Sequence, residues 1–241
     1  MEVENKLLNY RNLKIIQNTD WFAFSLDSVL LANFATINKK TNKILDLCTG
    51  NAPIPIILST KTDASIVGVE LQKEIYDLAT KSVKINNLED KIEILNMNIR
   101  DLPNKYETDT FDVITCNPPY FKVNEQSNLN DNKVKTIARH EIEMNLNDIF
   151  EISKKLLKNN GLVSIVHRPD RLVEILDIMK KNNIEPKRIR FIYPKEGKEC
   201  NTVLIEGSKN GNSGLKILPP LYAHGYDDNY SDEVQKMFQN N

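Results

Sequence analysis

The tetrapeptide Asn117-Pro118-Pro119-Tyr120 carries the residue types best suited to chemistry. The Asn117 side-chain oxygen and the Pro118 carbonyl can each accept a hydrogen bond from a planar amino group. Two such bonds would pull the amine nitrogen towards a tetrahedral shape and free its delocalised lone pair. Each proline restricts the residue before it, which holds the Pro118 carbonyl in place. The Tyr120 ring can stack on a flat substrate. The motif therefore predicts a site that activates a planar NH2 group by positioning it, although a rigid Asn-Pro turn is the simpler alternative.

Strands alternate with helices along the chain, and the tetrapeptide directly follows one of the strands. Apolar runs predict strands at 43–47, 64–70, 92–95, 111–116 and 161–166, and helical periodicity predicts helices at 53–58, 73–87, 147–157 and 169–181. This alternation implies right-handed crossovers and a mainly parallel sheet. Two extended segments follow at 188–193 and 202–206, and the loop between them is too short for a crossover helix. They should therefore form an antiparallel hairpin.

A mainly parallel α/β sheet that ends in an antiparallel hairpin resembles the Rossmann-like fold of class I methyltransferases. We expect one such domain over residues 1–241, with a short N-terminal extension at about 1–40 and a C-terminal tail at about 208–241. Polar loops are predicted at 121–136 and 207–214. The end of the chain predicts a turn followed by one short helix.

The turn after the first predicted strand is a candidate cofactor site, because ligands of open α/β sheets lie beyond the carboxyl ends of the strands. Residues 46–53 (DLCTGNAP) resemble the first class I methyltransferase motif, usually Asp-x-Gly-x-Gly-x-Gly. Cys48 and Ala52 stand where glycine is common. Gly50 allows a tight turn, which lets the backbone approach a ligand closely. The phosphate-binding GxGxxG pattern is missing, which disfavours NAD. S-adenosylmethionine has no pyrophosphate and is the expected cofactor.

Polar side chains also follow the second and third predicted strands. Glu70 can accept hydrogen bonds from both hydroxyls of a ribose, or it is a solvated acid that opens a helix. Class I methyltransferases often carry Asp at the position of Asn98, where it bonds the adenine amino group of the cofactor. The Asn98 oxygen can accept the same bond, Asp101 could do so instead, or neither does. The expected cofactor-binding residues are Asp46, Cys48, Thr49, Gly50, Asn51, Glu70, Leu71, Asn98, Ile99 and Asn117.

Composition narrows the class of protein. The formal net charge is -1, so any basic surface must be local. The sequence shows neither a signal peptide nor an apolar run of about 20 residues, and a cytoplasmic location is expected. Cys48, Cys116 and Cys200 are widely spaced without a CxxC pair, which predicts reduced thiols and no metal site. A monomer is the expected oligomeric state, although the sequence does not decide it.

Several further segments resemble the bacterial tRNA(Val) adenine-N6-methyltransferase family. They are 24–32 (FSLDSVLLA), 46–51, 117–120, 137–141 (IARHE), 167–172 (HRPDRL), 187–188 and 218–221 (LPPL). The resemblance implies transfer of a methyl group to N6 of an adenine beside the tRNA anticodon. The departures at Cys48, Ala52 and Asn98 concern the cofactor more than the substrate class.

Basic residues supply the candidate RNA contacts. Seven Lys and Arg residues fall within 180–198 around Phe191 and Tyr193, as in a patch that binds an RNA backbone. The alternative is an exposed helix end and hairpin with solvated charges. Arg139 and His140 follow the polar loop, and Arg168 follows the fifth strand. These residues could contact the substrate, or they could be ordinary surface residues of a loop. The expected substrate-binding residues are Arg139, His140, Arg168, Lys187, Arg188 and Arg190.

Three other functions share parts of this pattern. A release factor glutamine methyltransferase uses the same tetrapeptide, but it usually has an N-terminal helical domain that about 40 residues cannot provide. A DNA adenine methyltransferase should carry a separate target-recognition region, and no segment is long enough for one. A non-catalytic Rossmann-like RNA-binding module is the third alternative, and the intact tetrapeptide argues against it.

Overall fold

A mostly parallel sheet with helices on both faces organises the protein. The computed structural model describes residues 2–7, 12–18, 25–119, 145–227 and 229–239. The strands are β1 (Glu2–Lys6), β2 (Lys14–Asn18), β3 (Lys43–Leu47), β4 (Ser65–Glu70), β5 (Ile92–Asn96), β6 (Phe111–Cys116), β7 (Leu157–His167), β8 (Ile184–Tyr193), β9 (Thr202–Lys209), β10 (Lys216–Ile217) and β11 (Leu221–Tyr222). The α-helices are α1 (Leu26–Phe34), α2 (Pro53–Ser59), α3 (Lys73–Ile85), α4 (Leu102–Lys105), α5 (Leu146–Leu156), α6 (Leu172–Lys181) and α7 (Asp232–Gln239).

The large sheet has the strand order β10-β8-β9-β7-β6-β3-β4-β5, and β11 also pairs with β8. From β5 to β7 all neighbours are parallel. β9 is antiparallel to both β7 and β8. The segment 194–201 between β8 and β9 is too short for a crossover, which accounts for the antiparallel pairing of these two strands. The predicted mainly parallel sheet with an antiparallel C-terminal hairpin is confirmed. No helix among the residues described is long and apolar enough to cross a membrane.

Two strands of the C-terminal hairpin extend beyond their predicted bounds. β8 begins at Ile184 and not at 188, and β9 continues to Lys209 through residues that were predicted as a loop. The two added segments pair with each other, since Ile184 lies opposite Lys209. Gly207 looks like a loop residue in sequence, but a Cβ there would lie 2.3 Å from Cε of Met179 in α6. Its glycine therefore reflects close helix packing on a strand and not a chain break.

The residues near both ends of the chain form further elements that pack around the large sheet. β1 and β2 form an antiparallel hairpin, and the Ile16 amide of β2 donates to the Ser82 hydroxyl of α3 at 2.9 Å. α1 follows and packs against β7, β9 and α2, while α7 packs against α1. These regions were expected to be an extension and a tail, and the hairpin, α1, β10 and β11 were not predicted from the sequence. Each element is short and gains its order from contacts that are distant in sequence.

The core has two layers, one on each face of the sheet. Ile44 packs with residues of α1, α2 and α3, whereas its neighbour Leu45 packs with residues of α5 and α6. Consecutive side chains of a strand point to opposite faces, so a strand covered on both sides reads as a continuous apolar run. This explains why the KILDL and FDVITC segments were recognisable as buried strands.

A buried ionic cluster joins the hairpin to α1. The Glu206 carboxylate, 2% exposed, accepts hydrogen bonds from the Thr36 amide and hydroxyl (both 2.8 Å), from the Ser164 hydroxyl (2.9 Å) and from Nε of Arg188 (2.8 Å). The Arg188 guanidinium also donates to the Phe34 carbonyl at 2.5 Å and lies 4.6 Å from the centroid of the Phe34 ring. A buried charge is tolerated here because its acceptor sites are occupied.

Removing this carboxylate should destabilise the fold strongly. We expect Glu206→Ala to lower the free energy of unfolding by about 3 kcal/mol or more, because Arg188 keeps a partly buried charge without its counterion. Thr36→Ala is the matched control, since it removes one neutral donor to the same carboxylate and should cost only about 0.5–1.5 kcal/mol. Urea unfolding of the three proteins measures both values. Equal losses in the two variants would contradict this account of the cluster.

Candidate functional site

The turn between β3 and α2 has a backbone shape that glycine favours. Cys48, Gly50 and Ala52 have φ values of 57°, 57° and 71°, in the left-handed region that L-residues adopt at a cost. Cys48 and Ala52 occupy two of the three positions at which the methyltransferase motif commonly has glycine. The departures from the motif thus change the side chains while the turn keeps its glycine-type conformation. A Cβ added to Gly50 would meet none of the described residues within 4 Å, so that part of the chain leaves space above this residue.

Asp46 supports the turn from below. It is 0% exposed, and its carboxylate accepts hydrogen bonds from the Thr49 hydroxyl at 2.7 Å and from the Thr115 hydroxyl of β6 at 2.5 Å. Gly68 on the neighbouring strand leaves room for Thr49, because a Cβ there would lie 2.8 Å from the threonine oxygen. The structure thus places Asp46 beneath the predicted ligand site rather than at its surface, because one of its oxygens holds the turn and the other bonds β6.

The chemistry of this support depends on protonation. Burial raises the pKa of Asp46 to about 7, and the Glu70 charge acts in the same direction, while the two threonine hydrogen bonds lower it. Burial, together with a hydrogen bond to Cys48, also raises the pKa of the Cys116 thiol at the end of β6. Both groups favour their neutral forms for the same reason, which is the low polarity under the turn.

Glu70 lies against the turn from the end of the adjacent strand. Its carboxylate accepts hydrogen bonds from the Gly50 amide at 3.1 Å and from the Gln72 amide at 2.9 Å. The two predicted ligand-binding positions are therefore brought together, as the parallel β3–β4 pairing requires. Leu71 follows with its side chain 38% exposed.

Asn96 at the end of β5 was missed by sequence reasoning. Its side-chain amide donates to the carbonyls of Glu70 at 3.0 Å and Leu71 at 2.9 Å. It lies opposite Glu70 in the β4–β5 pairing, and an amide at the end of the strand was the available signal. The contact fixes the backbone that presents Glu70.

Two amide side chains of the predicted cofactor set make structural contacts. The Asn98 oxygen accepts a hydrogen bond from the Arg100 amide at 2.9 Å and caps the 3-10 turn Ile99–Asp101. Ile99 is buried, whereas Asp101 is exposed. The Asn51 amide donates to the Ile16 carbonyl at 2.9 Å and ties the turn to β2.

The tetrapeptide begins beside this turn. β6 is the parallel neighbour of β3, and Cys116 lies opposite Leu47, so Asn117 emerges at the same edge as the Cys48–Ala52 turn. Nδ2 of Asn117 donates to the buried Ser28 hydroxyl of α1 at 3.1 Å. Pro118 is buried and Pro119 is exposed. Ser28 lies in the segment 24–32 that carried the family resemblance, which was the only signal for it.

The predicted substrate-binding residues fall in different places. Tyr120, Arg139, His140 and the polar loop 121–136 lie outside the described residues. Arg168 is exposed at the carboxyl end of β7 and donates to the Asn201 carbonyl at 2.9 Å. The preceding His167 is buried, which lowers its pKa to about 4 and keeps the ring neutral.

The basic residues of β8 hold other parts of the chain. Arg188 belongs to the ionic cluster with Glu206. Arg190 donates to the Pro219 carbonyl at 3.0 Å and pairs with Glu233 of α7 at 2.7 Å. Lys187 donates to the Asn212 carbonyl at 2.9 Å. These contacts account for the charges of this strand without an RNA backbone, which favours the structural alternative for Arg188 and Arg190.

Comparison with known proteins identifies the class. Residues 38–241 match the family model described as a methyltransferase domain. The chain belongs to this methyltransferase family, and the class expected from the sequence is confirmed.

Named relatives and solved structures refine this picture. A protein from Flavobacterium psychrophilum named tRNA1(Val) (adenine(37)-N6)-methyltransferase is 23% identical, over 88% of this chain and 91% of the relative. Proteins of the same name from Bacteroides fragilis and Aliivibrio salmonicida are each 25% identical, over 85% and 90% of this chain and 85% and 87% of their own lengths.

An Agrobacterium tumefaciens structure described as a predicted O-methyltransferase has a TM-score of 0.70 at 18% identity, covering 88% of this chain and 95% of its own. A geranyl diphosphate methyltransferase in complex with S-adenosylmethionine has a TM-score of 0.57 at 13% identity, covering 76% and 84%. The structural likenesses show a shared fold.

The raised pKa of Asp46 predicts an effect of pH on stability. The unfolded chain ionises this carboxyl near 3.8 and the folded protein near 7. The wild type should therefore lose stability relative to Asp46→Asn as the pH rises through this range, by up to about 1.4 kcal/mol per pH unit, and the difference should then stay constant. Urea unfolding of both proteins from about pH 4 to about pH 8 measures it. Taking the difference cancels the shared titration of His167, which acts in the opposite direction. Parallel stability curves would contradict the prediction.

Proposed function

We propose that the protein transfers a methyl group from S-adenosylmethionine to N6 of an adenine near the anticodon of a tRNA. The observation that carries the proposal is the placement of Asn117 beside the turn at Gly50 and Glu70, at one edge of a methyltransferase sheet. The names of relatives that align with most of the chain support the tRNA substrate. We further propose that residues 1–241 act as one domain in the cytoplasm, where tRNA is modified.

The side chains around the turn fit S-adenosylmethionine. The Glu70 carboxylate accepts the backbone amides of Gly50 and Gln72, and a carboxylate in this place would bind the hydroxyls of a ribose. The described residues leave space above Gly50, through which a ligand would approach the backbone closely. The half-exposed Leu71 side chain offers an apolar surface for an adenine ring, with Asn98 and Ile99 on the next strand end. S-adenosylmethionine supplies a methyl group that its sulfonium has already activated, so no strong general base is needed.

The residues of the tetrapeptide would position the adenine amine. The Asn117 oxygen and the Pro118 carbonyl would accept its two N–H bonds, which favours a tetrahedral nitrogen with a free lone pair. Pro119 restricts the conformation of Pro118 and so fixes that carbonyl. We propose that Tyr120 stacks on the base. Catalysis then rests on preorganised acceptors and orientation.

Fewer residues are proposed to contact RNA than were expected from the sequence. Arg168 is exposed at the same edge of the sheet as Asn117 and can reach a phosphate. Arg139, His140 and Lys187 stay in the proposal. Arg188 is assigned to the buried ion pair with Glu206, because breaking that pair to bind a phosphate would cost more than the new contact returns. Arg190 is assigned to its contacts with Glu233 and the Pro219 carbonyl.

Asn117 and Glu70 should separate catalysis from cofactor binding. We expect Asn117→Ala to lower the rate of methyl transfer about 100-fold or more, because one acceptor of the reacting amine is lost, with little change in cofactor affinity.

Glu70→Ala should weaken S-adenosylmethionine binding by roughly 10- to 150-fold, because a charged acceptor of the ribose is lost. Single-turnover rates measure the effect of Asn117→Ala, and calorimetry measures the effect of Glu70→Ala on cofactor binding. An Asn117→Ala enzyme with full activity would contradict the mechanism, and tight binding of NAD without S-adenosylmethionine would contradict the cofactor.

The choice of substrate can be tested with one set of acceptors. A loop adenine is already partly unstacked, whereas a duplex base must be flipped out at a cost of a few kcal/mol. We therefore expect methyl transfer to a folded tRNA transcript to be faster than to single-stranded DNA, duplex DNA or a release factor peptide. Labelled cofactor and nucleoside analysis of the product provide the measurement, and a transcript lacking the loop adenine is the control. Faster transfer to the peptide would favour the glutamine alternative, and RNA binding without transfer would favour the non-catalytic module.

A further inference from the structure

α1 connects the tetrapeptide to the buried ionic cluster. Near its first turn, the Ser28 hydroxyl accepts a hydrogen bond from Nδ2 of Asn117 at 3.1 Å. At its other end, the Phe34 carbonyl accepts from Arg188, and the backbone amide and hydroxyl of Thr36 donate to Glu206. Most side chains between the two ends are buried. The helix is therefore held at both ends and along its length.

The Asn117 contact bears on where its amide is held. Nδ2 of Asn117 donates to the Ser28 hydroxyl, which places the amide against α1. A hydroxyl can both donate and accept, so the contact fixes the place of the amide at the carboxyl end of β6. An acceptor acts on a reacting amine only when it is held within hydrogen-bonding distance of it, so the place of the amide matters for catalysis.

The partner of that NH2 end is unusually well fixed. The Ser28 side chain is 4% exposed and belongs to a helix whose neighbours Val29 and Leu31 are fully buried. The far end of the helix is locked by the Glu206 carboxylate, which bonds three separate elements of the fold. A serine on a buried helix that is fixed at its far end has little freedom to move, so it can hold the amide in one place.

We propose that Ser28 is a positioning residue that holds the Asn117 side chain in the place from which it acts on the substrate amine. The inference rests on the proposed function of Asn117 and extends it to a residue in the N-terminal part of the chain. Ser28 acts through Asn117 and does not itself touch the reacting atoms.

The first test uses the substrate-free protein and is independent of its activity. The side-chain NH2 signals of Asn117 in a ¹⁵N correlation spectrum are assigned by their loss in Asn117→Asp. We expect these signals to shift in Ser28→Ala and to stay close to their wild-type positions in Asn33→Ala, a change in the same helix whose amide bonds Val29 and Lys61 instead. Unchanged Asn117 signals in Ser28→Ala would overturn the contact.

The second test asks whether the contact affects the rate. Ser28→Ala should lower kcat roughly 10-fold, the scale of one lost orienting hydrogen bond, with the KM for S-adenosylmethionine unchanged, and Ser28→Thr should recover much of the loss. In an Asn117→Ala background, Ser28→Ala should have no further effect, because its target is gone. The same loss in both backgrounds would mean that Ser28 only stabilises the helix and would overturn the proposal. A wild type that methylates no RNA would instead overturn the proposed function, while the spectra would still report on the contact.

Discussion

The carboxylate of Asp46 lies between two threonine hydroxyls, one in the turn above β3 and one in the neighbouring strand β6. This single buried group couples the turn that we assign to the cofactor with the strand that leads to Asn117. The arrangement has a desolvation cost, which appears as the raised pKa of Asp46. The hydroxyls offset part of that cost, and Gly68 removes the side chain that would push Thr49 away. The relative position of the two halves of the candidate site thus depends on one satisfied carboxylate.

Asp46 begins a row of polar residues that crosses the sheet beneath α1. Asp46, Thr115, Ser164, Glu206 and Arg188 occupy paired positions on β3, β6, β7, β9 and β8. A slip of any of these strands by one residue would move a buried polar group to the opposite, apolar face. The row therefore specifies strand register more strongly than apolar packing alone. It also connects the candidate site to the C-terminal hairpin, since α1 contacts Asn117 through Ser28 and the residues directly after α1 contact the row through Thr36.

The turn after β3 shows how a motif can persist while its residues change. Glycine is common in this motif because the backbone adopts left-handed conformations, and Cys48 and Ala52 adopt them here without being glycine. Each non-glycine residue in that region carries a cost of about 1–2 kcal/mol. The hydrogen bonds of Thr49 to Val69 and Asp46 fix the turn and help to offset that cost. Local strain at such a turn is maintained only when the surrounding fold determines it.

The sequence by itself determined the alternation of strands and helices from β3 to the C-terminal hairpin, and with it the edge at which Gly50, Glu70 and Asn117 meet. That inference needed only local periodicity and the rule that the carboxyl ends of parallel strands lie together. Tertiary structure alone decided that Asp46 is buried under the turn, that Asn98 caps a helical turn, and that Arg188 and Arg190 pair with Glu206 and Glu233. It also decided that Ser28 meets Asn117 across 89 positions of the chain. The physical reason is that a charge or an amide has the same appearance in sequence whether it faces solvent, a ligand or a partner strand. Its role is set by which distant groups the folded chain brings within hydrogen-bonding distance.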